Sequence, residues 1–209
     1  MFSKFNFFRV FSSVSLLVLN AFTFIPVSVT TQVNNGTSQT QLYSQGTQPV
    51  NENDTNTISS ILVPNVFFYY VVQQPANSPD YVSPLENLLT EFGLPKKYGN
   101  VGLLAHNYLA GDSFDELSIG QKIYLFYEDG HADRLTVSKV FHFRALEPDD
   151  IHSQFEDLDT GEILTAGEVF VRMYTGATHL TLQTCIYANG DHSWGRLFVI
   201  AEPDSAGLE

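Results

Sequence analysis

The chain has a single cysteine, Cys185, and strand alternation puts it on the wrong face for a core residue. With residues 178–186 read as a strand, Leu180, Leu182, Thr184 and Ile186 fall on one face. His179, Thr181, Gln183 and Cys185 fall on the other. The apolar set takes the core, so Cys185 belongs to the polar face. A free cysteine is ordinarily a small buried hydrophobe; one set apart from the apolar face of an exported chain is paired with another chain or is reactive. Reactivity requires a base or a cation that populates the thiolate. Six histidines offer themselves. His179 shares the face but lies six residues off, roughly 20 Å along a strand, out of reach. His192 follows in a polar turn, where a solvated loop histidine is the ordinary reading. His131, His142 and His152 read as turn, strand and acidic-loop residues. His106 stands apart: it ends the apolar run Val101-Gly102-Leu103-Leu104-Ala105, where a buried strand emerges into a loop, a position suited to catalysis. Arg196 opens the strand after the turn 189–195. A hairpin returns it beside Cys185, where a guanidinium stabilises a thiolate or an oxyanion, unless it is a strand-edge arginine reaching water. A thiol, an imidazole and a guanidinium together suit covalent acyl transfer.

The rest of the chain must position those groups. It has 209 residues, 44% of them apolar and 13% aromatic, enough for one ordinary domain plus an extra segment. Its net charge of −13 argues against nucleic acid and against a hold on anionic lipid. One cysteine excludes an internal disulfide framework. Lys4 and Arg9 precede an uncharged, largely apolar run at residues 10–29. Residues 1–30 therefore read as a signal peptide or an N-terminal membrane anchor, with cleavage left open. Residues 31–60, rich in Thr, Gln, Asn and Ser, read as a flexible polar linker. Lys4, Arg9, Glu52 and Asp54 cancel within residues 1–60, so the whole charge of −13 lies in residues 61–209, the expected folded domain. Ser83-Pro84-Leu85-Glu86 carries a helix start, and Leu85, Leu88, Leu89 and Phe92 follow at helical spacing, which predicts a helix to Gly93. Strands are predicted within residues 58–73 and at 121–127, 133–137, 168–174, 178–186 and 196–201, with a hairpin turn at Glu128-Asp129-Gly130. The acidic residues 147–167 read as a loop. Many short strands around one marked helix favour an all-β barrel or sandwich.

Three separated stretches resemble one family. Thr181-Leu182-Gln183-Thr184-Cys185 is similar to the Thr-Leu-x-Thr-Cys motif of sortases, the cysteine transpeptidases of bacterial cell surfaces. Gly102-Leu103-Leu104-Ala105-His106-Asn107 resembles their catalytic-histidine segment, and Gly195-Arg196-Leu197-Phe198-Val199 their essential-arginine segment. Residues 117–127 and 145–150 resemble further parts of the pattern, with Gln121 where an acid is usual. The resemblance covers roughly residues 82–203.

It implies a closed barrel of about eight strands with one or two short helices. Cys185 would attack a Leu-Pro-x-Thr-Gly-like sorting signal, His106 would move the protons, and Arg196 would hold the oxyanion with Thr184 lining that site. Implied partners are signal-bearing surface proteins and an amine from peptidoglycan precursor or a pilin lysine. The place of work is the extracytoplasmic face of the membrane, anchored or secreted. No cofactor is expected: loop carboxylates hold calcium in some sortases, but Glu156, Asp157, Asp159 and Glu162 read as solvated. The final residues show no apolar tail, so the chain is expected to process signals, not carry one. The alternatives are a catalytically silent sortase-fold binding module and an unrelated exported β-barrel.

Overall fold

The computed structural model describes residues 56–150 and 153–204. The expected leader, most of the linker, and His152 lie outside the described residues. Ten strands follow in chain order: β1 (Ile58–Val63), β2 (Phe67–Gln73), β3 (Leu88–Glu91), β4 (Val101–Leu104), β5 (Lys122–Tyr127), β6 (Ala132–Ala145), β7 (Gln154–Asp157), β8 (Ile163–Thr165), β9 (Leu180–Ala188) and β10 (Asp191–Pro203). Among the described residues, one α-helix, α1 (Ala166–Tyr174), and two 3-10 turns, Pro95–Tyr98 and Ala110–Glu116, complete them. β1 begins at Ile58, inside the stretch assigned to the linker, so a domain boundary at residue 61 would cut through this strand.

Eight strands close on themselves in the order β10-β9-β4-β3-β2-β1-β5-β6, and β6 pairs again with β10. The β7–β8 hairpin hangs off β6 outside the ring. Closure leaves the ring no free edge. Pairing is antiparallel except β2 with β3 and β4 with β9. The closed barrel expected from the motifs is present.

Alternation fills the barrel. Ile61, Val63, Leu89, Leu103, Ile123, Leu125, Val137, Leu180, Leu182, Leu197 and Val199 meet inside it. A second core lies outside the wall, between strands and helix: Leu104, Phe143, Phe198 and Ile200 pack against Phe155, Leu164, Val169, Phe170, Met173 and Tyr174. The barrel wall is therefore apolar on both faces where α1 covers it.

Two local expectations are overturned. Residues 83–92 form no helix. The Ser83 hydroxyl accepts from the Leu85 amide, and Asn87 turns left-handed at φ 57°, which a helix cannot follow. The chain then enters β3 and fills the gap between β2 and β4, with Leu89 and Glu91 buried. Ring closure outweighs the helical spacing of four residues, and Leu85, one of them, is left 61% exposed.

Conversely, residues 168–174, read as a strand, are helical. Thr165 and Glu168 form a reciprocal capping box, and Val169, Phe170, Met173 and Tyr174 make one buried stripe. The acidic stretch 147–167 is correspondingly not all loop: Phe155 and Leu164 anchor β7 and β8 in the second core. Its carboxylates are held locally. Glu156 pairs with Arg144, Glu162 with Arg172, and Asp157 accepts from the amides of Asp159 and Thr160. Among the described residues no three His, Cys, Asp or Glu side chains are grouped to hold a metal ion. No described helix is long and apolar enough to cross a membrane.

Candidate active site

The polar face of β9 exists because α1 ends on it. The last carbonyls of a helix have no partner within the helix. Here the Thr181 hydroxyl donates to the Met173 carbonyl at 2.6 Å, and the His179 Nε2 lies 2.9 Å from the same oxygen. Asn100 Nδ2 donates to the Tyr174 carbonyl at 3.1 Å, while the Tyr174 hydroxyl bonds Gln183 Oε1. His179, Thr181 and Gln183 are thus buried beneath the helix and not turned to solvent. This corrects the idea of a face without apolar partners. Alternation does keep Cys185 out of the barrel interior, and Cys185 is the first residue of that row to regain partial exposure.

β9 and β10 are joined by a two-residue turn, Asn189-Gly190, with φ of 54° and 84°. Both residues left-handed is the geometry that matches strand twist in a tight hairpin, and Asn-Gly adopts it readily. The hairpin pairs Arg196 directly with Cys185, so both side chains share one face. Arg196 is only 3% exposed; its guanidinium stacks 5.7 Å from the Phe155 ring, and one of its nitrogens donates to the carbonyls of Ser193 and Gly195.

On the other side of Cys185 runs β4, parallel to β9. Leu104 pairs with Gln183, and the Ala105 amide continues the ladder by donating to the Gln183 carbonyl at 3.2 Å. Two residues past that pair stand His106, beyond the end of β4, and Cys185, within β9. His106 meets the Val82 carbonyl and stacks on Tyr108, with centroids 5.1 Å apart. Val82 belongs to the outer core with Leu104, which puts the imidazole on the Cys185 side of the wall. Cys185 and Arg196 are thus a direct cross-strand pair, and His106 follows the end of the strand on the other side of β9.

The surroundings set the protonation states. Burial holds the Cys185 thiol above its usual range; the Arg196 guanidinium pulls the other way, and Asp191 adds to the rise. Burial also pushes the His106 imidazole below its ordinary value, with the bond to Val82 opposing. Thiol and imidazole are both neutral at rest near pH 7. Asp191→Asn removes one anion while keeping the oxygen that accepts from the Ser193 amide. It should lower the Cys185 pKa and speed iodoacetamide alkylation at pH 8, about two- to threefold, measured by mass spectrometry; a slower rate would contradict this assignment of charge.

Thr184 is placed otherwise than expected. It pairs with Leu197, a barrel-interior residue, and so lies on the opposite face of β9 from Cys185. Its hydroxyl is buried without a hydrogen-bond partner. Over it sits Gly111, in the 3-10 turn that follows His106. A Cβ on Gly111 would stand 2.3 Å from Thr184 Oγ1 and 2.8 Å from the His106 carbonyl. Thr184 thus fits the strand under the turn that carries His106. Gly111→Ala should destabilise the fold by about 1–3 kcal/mol in chemical denaturation, since neither backbone nor Thr184 can withdraw freely.

Sequence reading missed three neighbours: the Val82 carbonyl, Tyr108 and Asn107. Only Asn107 carried a local signal, being a polar side chain next to the chosen histidine. Val82 arrives through the β2–β3 connection, which had been read as leading into a helix.

No protein-family model and no curated protein matches the sequence. Solved structures similar in fold do exist. Sortase A of Listeria monocytogenes is 18% identical over 71% of this chain and 88% of that one, with a TM-score of 0.45. Sortase C from Clostridium perfringens is 16% identical over 72% of each chain, TM-score 0.41. Sortase C-1 from Actinomyces oris is 12% identical over 70% of this chain and 71% of that one, TM-score 0.46. At these identities the likeness concerns the path of the chain alone. The chain is a closed eight-stranded barrel of the kind its motifs imply, and the solved structures similar to it bear the name sortase.

Proposed function

We propose that this chain is a sortase-type cysteine transpeptidase that cuts a Leu-Pro-x-Thr-Gly-like signal and passes the acyl group to an amine. The observation that supports the reading is the direct pairing of Arg196 with Cys185, with His106 two residues beyond the end of β4, the strand that runs parallel to β9 on its other side.

The Cys185 sulfur, its proton taken up by His106, adds to the threonine carbonyl carbon of the signal. The carbonyl oxygen becomes an oxyanion, held by the Arg196 guanidinium in a site with little water. As the C–N bond breaks, His106 returns the proton to the leaving glycine amine, and a thioester remains on Cys185. An incoming amine then attacks the thioester carbonyl and His106 takes its proton. The thiolate leaves and recovers a proton from His106, and a new amide is released. Where water replaces the amine, the outcome is hydrolysis.

Thr184 does not line the oxyanion site in this reading; it positions the strand beneath Gly111. The substrates are surface proteins that bear the signal. The acceptors are amines of peptidoglycan precursor or a pilin lysine. The work is done at the extracytoplasmic face, with residues 1–30 as the membrane anchor or leader.

The test uses the full chain, a panel of Leu-Pro-x-Thr-Gly-like peptides and an amine acceptor. Mass spectrometry should find an acyl adduct on Cys185 and an exchanged product, both absent in Cys185→Ala. Cleavage without exchange would reduce the proposal to a protease. Folded protein that forms no adduct with any peptide would leave a binding module in its place.

A further inference from the structure

The β9–β10 hairpin is regular at its tip and at Arg196, but not between. Asp191 pairs with Ala188 and Gly195 with Ile186, so four residues advance on β10 while β9 advances two. The excess forms a bulge at His192, Ser193 and Trp194. Bulges in antiparallel pairs re-aim side chains and recur beside functional sites. This one reaches both partners of Cys185.

At its first residue, the His192 carbonyl accepts from Asn107 Nδ2 at 3.0 Å, and the His192 Nδ1 lies 3.3 Å from Asn107 Oδ1. The same side chain thus engages main chain and ring of one residue. Asn107 is the residue after His106. At the second residue of the bulge, the Ser193 carbonyl accepts from the Arg196 guanidinium at 3.0 Å. Two rings brace the junction. Tyr108 lies between His106 and His192, 5.1 Å from one centroid and 5.5 Å from the other, and Tyr187 meets His192 at 4.6 Å. The turn bearing His106 is tied to β9 by the Ala105 amide on the Gln183 carbonyl and by Gly111 against Thr184, and Asn107 adds its tie to the β10 bulge. Its own bonds, from the Leu109 and Gly111 amides to the His106 carbonyl, are internal to the turn.

We propose that Asn107 and His192 form a positioning latch that sets His106 in register with Cys185 and Arg196 through the β10 bulge. Asn107 donates to the bulge carbonyl and accepts from the ring, which fixes the distance between the turn and the hairpin. The adjoining Ser193 carbonyl fixes Arg196 against the same three residues. Neither Asn107 nor His192 touches the reacting atoms. The proton donor and the oxyanion holder are thereby referred to one short piece of backbone.

The inference rests on the transpeptidase reading, and its test separates the two. With full-length protein, Asn107→Ala should lower kcat about 10- to 100-fold, the scale of a misplacement near 1 Å, with KM for the signal peptide within twofold. Adding His192→Ala to Asn107→Ala should cost no more than twofold further, whereas His192→Ala alone should cost more than that. Such non-additivity marks a shared device and not two separate losses of fold. Independently of turnover, the His106 ring protons followed by NMR should titrate at higher pH in Asn107→Ala as the freed turn admits water. An unchanged kcat together with an unchanged His106 titration overturns the latch. So does a full additional loss from His192→Ala in the Asn107→Ala background. If wild-type protein turns over no peptide, the transpeptidase reading falls, and the NMR titration alone decides the latch.

Discussion

Arg196→Ala is expected to lower kcat/KM for a signal peptide by about 10³-fold, the scale of losing one strong donor to a developing oxyanion. The guanidinium sits across the hairpin from Cys185, buried, and braced by the Ser193 and Gly195 carbonyls and the Phe155 ring. That bracing pre-orients the charge, so no reorganisation is needed when the carbonyl oxygen gains its negative charge. Removing the side chain also removes the cation that pulls the Cys185 pKa down. The alkylation profile of Arg196→Ala should therefore move to still higher pH, while the peptide reaction collapses. Because alanine leaves a hole under Phe155, Arg196→Lys is the companion variant. It keeps charge and most of the stem but lacks the second terminal nitrogen, which the guanidinium retains while Nη1 holds both carbonyls. A folded Arg196→Lys protein with transfer within threefold of wild type would remove Arg196 from the proposed oxyanion role.

The second large effect concerns His106. His106→Ala should reduce transfer by about 10²–10⁴-fold, the range of a lost general acid and base. The pH dependence separates a proton carrier from a packing residue. With His106 lowered and Cys185 raised from their ordinary values, kcat/KM should follow a broad bell. Its acid limb lies below the usual histidine value, because only there does His106 already hold a proton and cannot accept the thiol's. Its basic limb lies above the usual thiol value, because there both groups have lost theirs. Between the limbs the neutral pair predominates, and the reactive ion pair is a constant fraction of it. His106→Ala should erase the acid limb and leave residual cleavage rising with the thiolate. A narrow bell with an acid limb at or above pH 7 would assign that limb to another group. Iodoacetamide reaction of wild-type protein should rise steadily beyond pH 9, since the thiolate is its only requirement.

Both effects depend on neighbours that are distant in the chain, and this marks what sequence reading reached. Cys185, His106 and Arg196 were found through alternation, a strand end and a hairpin. These are local features, but the Asn189-Gly190 turn by itself would set Trp194 opposite Cys185, and it is the bulge between Asp191 and Gly195 that brings Arg196 there. Strand periods alone favoured an all-β barrel or sandwich, and closure of the barrel was implied only by the resemblance of the motifs.

The two errors have different causes. The helix predicted at residues 83–92 rested on four apolar residues at helical spacing, a pattern that a short strand buried on both faces can also show. What makes it β3 is the gap between β2 and β4. The strand predicted at residues 168–174 overlooked the Thr165–Glu168 capping box, a signal that was legible.

The sequence by itself determined the strand periods, the hairpin turn and which three side chains could do acyl chemistry. Tertiary structure alone decided that the polar face of β9 receives the carbonyls ending α1, that Gly111 closes over Thr184, and that the β10 bulge meets Asn107. Each of those contacts closes between segments far apart in the chain. Its energy depends on the shape of the whole barrel and not on the residues beside it in sequence.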